Sequence, residues 1–584
     1  MYLEQINSPK DVKKLDGQEL TALAQEMRAA LIQKTSACGG HLASNLGIVE
    51  LTIALHYVFD APNDKIVFDV SHQTYCHKML TGRKDAFLDV TKYGSISGYS
   101  NPAESEYDLF SIGHSSTSIG LACGLVKARD LRGGNENVIA VIGDSALDGG
   151  GAFEALNYAA ELGSGLIVVV NDNNMSIPEN YGALSRQLSR LRETGGTVPD
   201  NYFKALGFVY HYVPNGHNVS DISVALQQVK GTNYPTVIHV NTRKGNGYPF
   251  AEQDPEKWHW ARPFIVETGE FTSGVPKENY GSIAGAFLLD KMQQDPAVAV
   301  IAASTPNCIG FHAENRKRAG KQYIDVGIAE QNAVTLAAGM ARSGAKPVFA
   351  TNSTFFQRAY DQIEQEICIN RCPVTMIVTH GSVFGHSNDT HAGLLDMALL
   401  GNIPNLVYLA PTNKQEYLAM LDWSIEQREF PVAIRVPWTG VHEADGSVPR
   451  KYGKVCYHIQ TEGKQVAILA LGGFFQLGEQ VAKLFKERSG ITPTLVNPRF
   501  ITGLDQQTLE RLAERHSLVV TLEDGILSGG FGARIAQFHA AMPVKVLNCG
   551  FSMDIPSRFN PRELMEHNRL TPEYIVDDII AAIK

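Results

Sequence analysis

Short runs dense in valine and isoleucine alternate along this chain with longer segments in which apolar and polar residues interleave. The runs are continuous, not alternating, which is the pattern of strands buried on both faces of a parallel sheet. The interleaved segments supply the helices that cover it. In the first part of the chain the runs are KIVFDV, NVIAVIGD, GLIVVVND and PTVIHVNT; in the second AVAVIAAS, PVFATNS and PVTMIVTH; in the third QVAILALGG, TPTLVNP, SLVVTLED and VKVLN. The expected fold class is α/β, with three doubly wound domains of mainly parallel sheet over residues 1–270, 271–445 and 446–584. The boundaries are expected in the polar, Pro- and Gly-containing segments near 265–280 and 437–452. Residues 185–200, SRQLSRLRETGGTVPD, show no clear period and read as a mobile excursion.

Composition narrows the class. A chain of 584 residues is too long for one hydrophobic core. Its formal charge of −10 is spread without a long basic run, which argues against nucleic acid and membrane surfaces as partners. The first twenty residues lack a signal-type apolar core, and no stretch approaches the roughly 18 apolar residues that span a bilayer. The expected location is therefore the cytoplasm. The eight cysteines form no CxxC pair; they read as reduced core thiols, with Cys368 and Cys372 on one helical face.

Candidate chemistry concentrates at strand ends. Gly143-Asp144-Ser145-Ala146 follows one strand, and Asn171-Asp172-Asn173-Asn174-Met175-Ser176 follows the next. A carboxylate and an amide oxygen at adjacent strand ends suit magnesium bridged to a diphosphate. Upstream, Asp69-Val70-Ser71-His72-Gln73 and the GHSSTS run from Gly113 precede a Gly/Ala-rich helix, whose first N–H groups could face a phosphate.

These segments, SHQTYCHKMLTGR, GHSSTS, GDSALDGGGAFEALN and NDNNMSIPENYGAL, resemble the deoxyxylulose phosphate synthases of the transketolase superfamily. The resemblance continues through KGNGYPFAEQDPEKWH, IAEQNAV and STFFQRAYDQ. It covers most of residues 5–440, and the rest more loosely. It implies a transketolase-like fold using thiamine diphosphate and Mg2+, with the metal held by Asp144, Asn173 and Met175. By the same resemblance His72, Gly113, His114, Ser115, Ser145, Ala146, Asn173, Met175, Lys244 and Tyr248 surround the diphosphate and thiazolium. The first domain would bind the diphosphate and the second the aminopyrimidine, with the cofactor bridging them. Glu330 would hydrogen-bond the aminopyrimidine, its pKa raised by burial beside AVTLAAGMA, and Phe355 would stack on that ring. His41, His391 and His259 would handle substrate protons.

The sequence departs from the family pattern on the acceptor side. Asn352 stands in place of a tyrosine and Ser387 in place of an aspartate. His380 and Trp438 stand where the family has arginines expected to bind the acceptor's phosphate. A guanidinium fork is not reproduced by either ring. Arg358, the retained Arg435 and a charged His380 are then the candidate substrate cations. The glycine-rich SGGFG run at 528–532 fits no phosphate-loop spacing and reads as a structural turn.

The resemblance implies decarboxylation of pyruvate and carboligation to glyceraldehyde 3-phosphate by a homodimeric transferase. The alternative is a related carboligase with another donor or an unphosphorylated acceptor. A cofactor-binding protein without turnover and an acyl-transferring dehydrogenase component fit less well, the first because His41, Asp144, Asn173 and Glu330 are all retained.

Overall fold

The computed structural model describes residues 1–274, 278–444 and 446–584. The boundary segments expected near 265–280 and 437–452 each include residues outside those described, 275–277 in the first and Asp445 in the second. The chain forms two compact units, Met1–Val275 with Gly327–Ala329, and Pro276–Val326 with Glu330–Lys584.

The first unit is built on a five-stranded sheet of β1 (Lys65–Phe68), β2 (Val138–Gly143), β3 (Ile167–Asp172), β4 (Val209–Val213) and β5 (Thr236–Asn241). The spatial order is β1-β2-β3-β5-β4 and every pairing is parallel. Successive residues of one strand feed opposite cores: Ile139 and Val141 face one cluster, Val138, Ala140 and Ile142 the other. Burial on both faces is why β2 and β3 read as unbroken apolar runs.

The second unit carries two sheets. The first contains β6 (Val298–Ala302), β7 (Tyr323–Asp325), β8 (Lys346–Asn352), β9 (Thr375–Thr379), β10 (Val407–Leu409) and β11 (Val432–Arg435). It is all parallel, in the order β10-β11-β9-β8-β6-β7. The second contains β12 (His458–Thr461), β13 (Gln465–Ala470), β14 (Thr494–Asn497), β15 (His516–Ile526) and β16 (Lys545–Phe551), in the order β12-β14-β13-β15-β16. Only the edge strand β12 in that sheet pairs antiparallel. One apolar cluster joins Phe349 and Met376 of the first sheet with Leu469 and Val519 of the second. Among the described residues no helix is long and apolar enough to cross a membrane.

Two readings need correction. The excursion at 185–200 contains the helix Ala183–Glu193, which buries Leu184, Leu188 and Leu191. The i, i+4, i+7 spacing was present, but a single leucine stripe among charged residues gives little apolar content. The cysteines are all free, but Cys38 and Cys456 are surface thiols, and the helical turn carrying Cys368 ends at Ile369, before Cys372.

Candidate functional site

In the first unit, β2 and β3 pair with Gly143 opposite Asn171, which brings the two sequence-distant motifs to one corner at the strands' C-terminal edge. The Asp144 amide donates to the Asn171 carbonyl at 3.2 Å. The Asp144 carboxyl is buried; it accepts from the Ser145 amide at 3.0 Å and from the Asn180 side chain at 2.9 Å. Ser145 Oγ donates to Asn180 Oδ1 at 2.6 Å. Asn180 thus ties both motif residues together, and the sequence carried no signal for it beyond an amide a few residues past Met175. Burial, and then the neighbouring Asp172 carboxylate, push the Asp144 carboxyl well above its usual range.

Beyond β3 the chain reverses tightly. Asn173 Oδ1 accepts from the Met175 amide at 3.2 Å, Asn174 adopts φ +60°, and Met175 bridges antiparallel to Glu179. The buried Lys244 ammonium donates to the Ser176 carbonyl of this reversal, and burial brings its pKa down to about 7. Among the described residues no group of three His, Cys, Asp or Glu side chains could hold a metal.

The GHSSTS segment reaches the same corner, since Ser116 Oγ donates to the Ala146 carbonyl at 2.8 Å. Gly113 and Ser115 are buried there and His114 is half-buried. At the start of the helix Ser118–Arg132 three amides are already engaged inside the protein. The amides of Ser116, Thr117 and Ser118 all donate to the buried Asp69 carboxylate, at 2.7, 2.9 and 2.9 Å. Val70, Ser71 and Ser116 all have positive φ, so the strained backbone gathers where these segments meet.

Four rings gather beside this region. His41 lies 5.1 Å from His72, 5.7 Å from His259 and 5.6 Å from Tyr99, centroid to centroid, and His72 lies 5.3 Å from His259. Asn45 orders them by donating to the carbonyls of both His41 and His72, at 2.7 and 2.8 Å. Antiparallel pairing of Gly40 with Ala261 draws in the segment carrying His259. Burial, then the charge of Lys244, lowers His72 to about 3 and His259 well below its usual range, so both are neutral. Their Nδ1 atoms are buried without a hydrogen-bond partner. Tyr99 was not legible in the sequence. Tyr248, expected at the cofactor, instead packs its ring on Phe250, Trp258 and Phe264 and spends its hydroxyl on the Val266 carbonyl at 3.0 Å.

In the second unit Glu330 opens the helix Glu330–Arg342 and is 2% exposed. Burial raises its carboxyl above the usual range despite Arg358 Nη1 at 3.4 Å. Phe355, on the turn after β8, meets the His391 ring edge-on at 5.7 Å, and the adjacent hydroxyls of Ser353 and Thr354 are buried without a partner. From His391 a row of rings continues through His386 at 5.3 Å to His380 at 4.9 Å, and from His380 to Trp438 at 4.1 Å.

The row corrects two substrate assignments. His380 is held neutral by burial and by His386, so it is not a cation. Arg435 is enclosed: Nε donates to Asp396 at 2.7 Å, Nη1 to Asp524 at 2.5 Å and Nη2 to the Gly393 carbonyl at 3.0 Å. Its donors are committed inside the protein.

Residues 3–197 match the family model described as 1-deoxy-D-xylulose-5-phosphate synthase. Residues 279–440 match the transketolase pyrimidine-binding domain and 456–575 the transketolase C-terminal domain. A 1-deoxy-D-xylulose-5-phosphate synthase of Caldanaerobacter subterraneus subsp. tengcongensis is 40% identical, covering 100% of this chain and 99% of that protein. One of Alkaliphilus oremlandii is 40% identical over 99% of this chain and 98% of its own length. A third, from Carboxydothermus hydrogenoformans, is 39% identical over 98% and 97%. End-to-end similarity at this level, over all three sheets, means that the chain belongs to the 1-deoxy-D-xylulose-5-phosphate synthase family.

Proposed function

We propose that this chain decarboxylates pyruvate and joins the remaining two-carbon unit to glyceraldehyde 3-phosphate, giving 1-deoxy-D-xylulose 5-phosphate and carbon dioxide, with thiamine diphosphate and Mg2+ as cofactors. The observation that carries this reading is the 40% identity maintained over the entire chain.

The residues present fit the cofactor. A carboxylate buried next to a second carboxylate, as Asp144 is, gains from a cation placed against it. One carboxylate with an amide oxygen is a sparse set that suits Mg2+, which takes further oxygens from phosphate. The orphaned Nδ1 atoms of His72 and His259 and the orphaned hydroxyls of Ser353 and Thr354 have partners to gain from an occupant. Asp144 and Asn173, with the Met175 segment, would hold the metal. Gly113, His114, Ser115, Ser145 and Ala146 would line the diphosphate, and Lys244 would meet its charge.

When bound, thiamine diphosphate supplies a carbon nucleophile and an electron sink for the carboxylate's departure. Burial favours a proton on the Glu330 carboxyl, which would be placed to hydrogen-bond the cofactor's ring. Phe355 supports that ring. The unpartnered Nδ1 of His72 would face the cofactor, and His41 and His259, beside it, would serve the substrate oxygen. His391 serves the second substrate. The domain bounds are proposed at 1–270, 271–445 and 446–584. A cytoplasmic homodimer is the proposed assembly.

One observation favours a second reading, in which the acceptor carries no phosphate. The two rings standing where arginines were expected lie against each other, 4.1 Å apart and tilted by 35°, and Arg435 is spent inside the protein. Two lost charge-assisted contacts are worth about 1.5–3 kcal/mol each. The test measures carbon dioxide release from pyruvate with both cofactors present, adding glyceraldehyde 3-phosphate or glyceraldehyde. A preference for the phosphorylated aldehyde of about a hundredfold or more supports the first reading; equal use supports the second. No release from pyruvate overturns both. Glu330→Gln is expected to slow release by about 10²–10⁴-fold.

A further inference from the structure

Asp172 sits one residue before Asn173 and is completely buried, yet it is not part of the proposed metal set. Two cationic or polar groups from other elements converge on it. His239 of β5 reaches its Oδ2 through Nε2 at 2.7 Å, and His239 Nδ1 is backed by the Tyr210 hydroxyl of β4 at 2.8 Å. Arg192, from the helix Ala183–Glu193, contacts both carboxylate oxygens through Nη1, at 2.7 and 2.5 Å. Its Nη2 donates to Asn174 Oδ1 at 3.1 Å, and the Asn174 amide donates to Asp172 Oδ1 at 3.1 Å. Arg192 therefore grips the reversal at two points, on either side of Asn173.

The helix that carries Arg192 seats Leu184, Leu188 and Leu191 in an apolar cluster shared with β2 and β3. It otherwise presents polar residues. The Arg192 contacts add a directional tie from this helix to the loop that the leucines do not supply.

We propose that Arg192 is a positioning residue for the metal loop: through Asp172 and Asn174 it latches the helix Ala183–Glu193 onto the segment presenting Asn173 and Met175. Metal binding and helix docking are then reciprocally coupled, each stabilising the other by the same free energy. The inference rests on the metal assignment made above. It differs from a purely structural ion pair in one respect: its loss weakens metal binding while leaving turnover at saturating metal nearly intact.

The test titrates Mn2+ as a paramagnetic probe into the full-length protein with excess thiamine diphosphate, following free Mn2+ by electron paramagnetic resonance. Hydrogen exchange of residues 184–193 is followed in parallel. Arg192→Met is expected to raise the Mn2+ dissociation constant by about tenfold or more, the usual cost of losing a group that orients a metal ligand. Arg192→Lys should recover part of that loss. Asn174→Gly keeps the left-handed backbone, removes only the second grip, and should give a smaller increase. Arg190→Met, on the same helix, breaks an exposed pair with Asp200 beyond the helix and should change nothing. Mn2+ should slow exchange in the helix of the unaltered protein and not in Arg192→Met. An unchanged dissociation constant in both Arg192→Met and Asn174→Gly, or an equal loss in Arg190→Met, overturns the latch. Failure of the unaltered protein to bind Mn2+ overturns the metal assignment and the latch together.

Discussion

Asp69 and Glu523 solve the same problem at two helix starts, each giving an internal carboxylate to amides that would otherwise face solvent or a phosphate. Glu523 accepts from the Phe531 and Gly532 amides at 2.7 Å each, and a Cβ on Gly530 would fall 2.4 Å from its carboxylate. The glycine-rich run is thus a packing requirement of Glu523, consistent with its reading as a turn. Burial raises Glu523 to about 7 against the opposing pull of those amides. A carboxyl raised in the fold takes up its proton more readily folded than unfolded. Its stabilising contribution is therefore complete below about pH 4.5 and is lost as pH rises through about 7. Urea midpoints should accordingly fall between pH 5 and 8 by an amount equivalent to about 1–3 kcal/mol, and Glu523→Gln should flatten that slope. Asp144, Asn173 and Glu330 could be named as candidates from the sequence because each sits in a contiguous motif. Asn180, Tyr99 and His386 could not, since each acts through partners that only the fold supplies.

Among the elements, the strands legible in advance were those covered on both faces, where burial imposes continuous apolar runs. The edge strands β4 and β12 were missed because much of each is exposed, β7 and β10 because three residues carry too little pattern, and β11, though buried throughout, because its four residues stop at Arg435. The helix Ser118–Arg132 shows how a motif can mislead at this scale: its small residues suggested a phosphate cradle, and Asp69, some fifty residues earlier, already occupies those amides. Asp69→Ala should cost about 2–4 kcal/mol, because three amides, two of them buried, lose their acceptor at once. Differential scanning calorimetry of the cofactor-free protein would register it as a lowered Tm. A change below about 0.5 kcal/mol would mean that water replaces the carboxylate.

At the scale of the whole molecule, the three-sheet organisation followed from repetition of one pattern, whereas the joining of two sheets in the second unit did not. Arg435 bonds Asp396, 39 residues away, and Asp524, 89 residues away, so no local sequence feature could announce the triad. Arg435→Met should destabilise the second unit by about 3–5 kcal/mol by leaving two buried carboxylates without their cation. Chemical denaturation would show this as a shifted midpoint with the two sheets still unfolding together. Arg435→Lys should recover little, since a single ammonium cannot span both partners.

The enclosed Arg435 also bears on how freely this chain can exchange parts. The C-terminal segment resembles a detachable module, yet it contributes Asp524 to a charge that belongs to the segment before it. A chimera joined near residue 450 would inherit a buried cation whose anion must come from the grafted side. Recombination at that junction is therefore tolerated only between parents that place an acid in the same register, and that also pair Glu416 with an arginine where Arg499 contacts it at 2.5 Å.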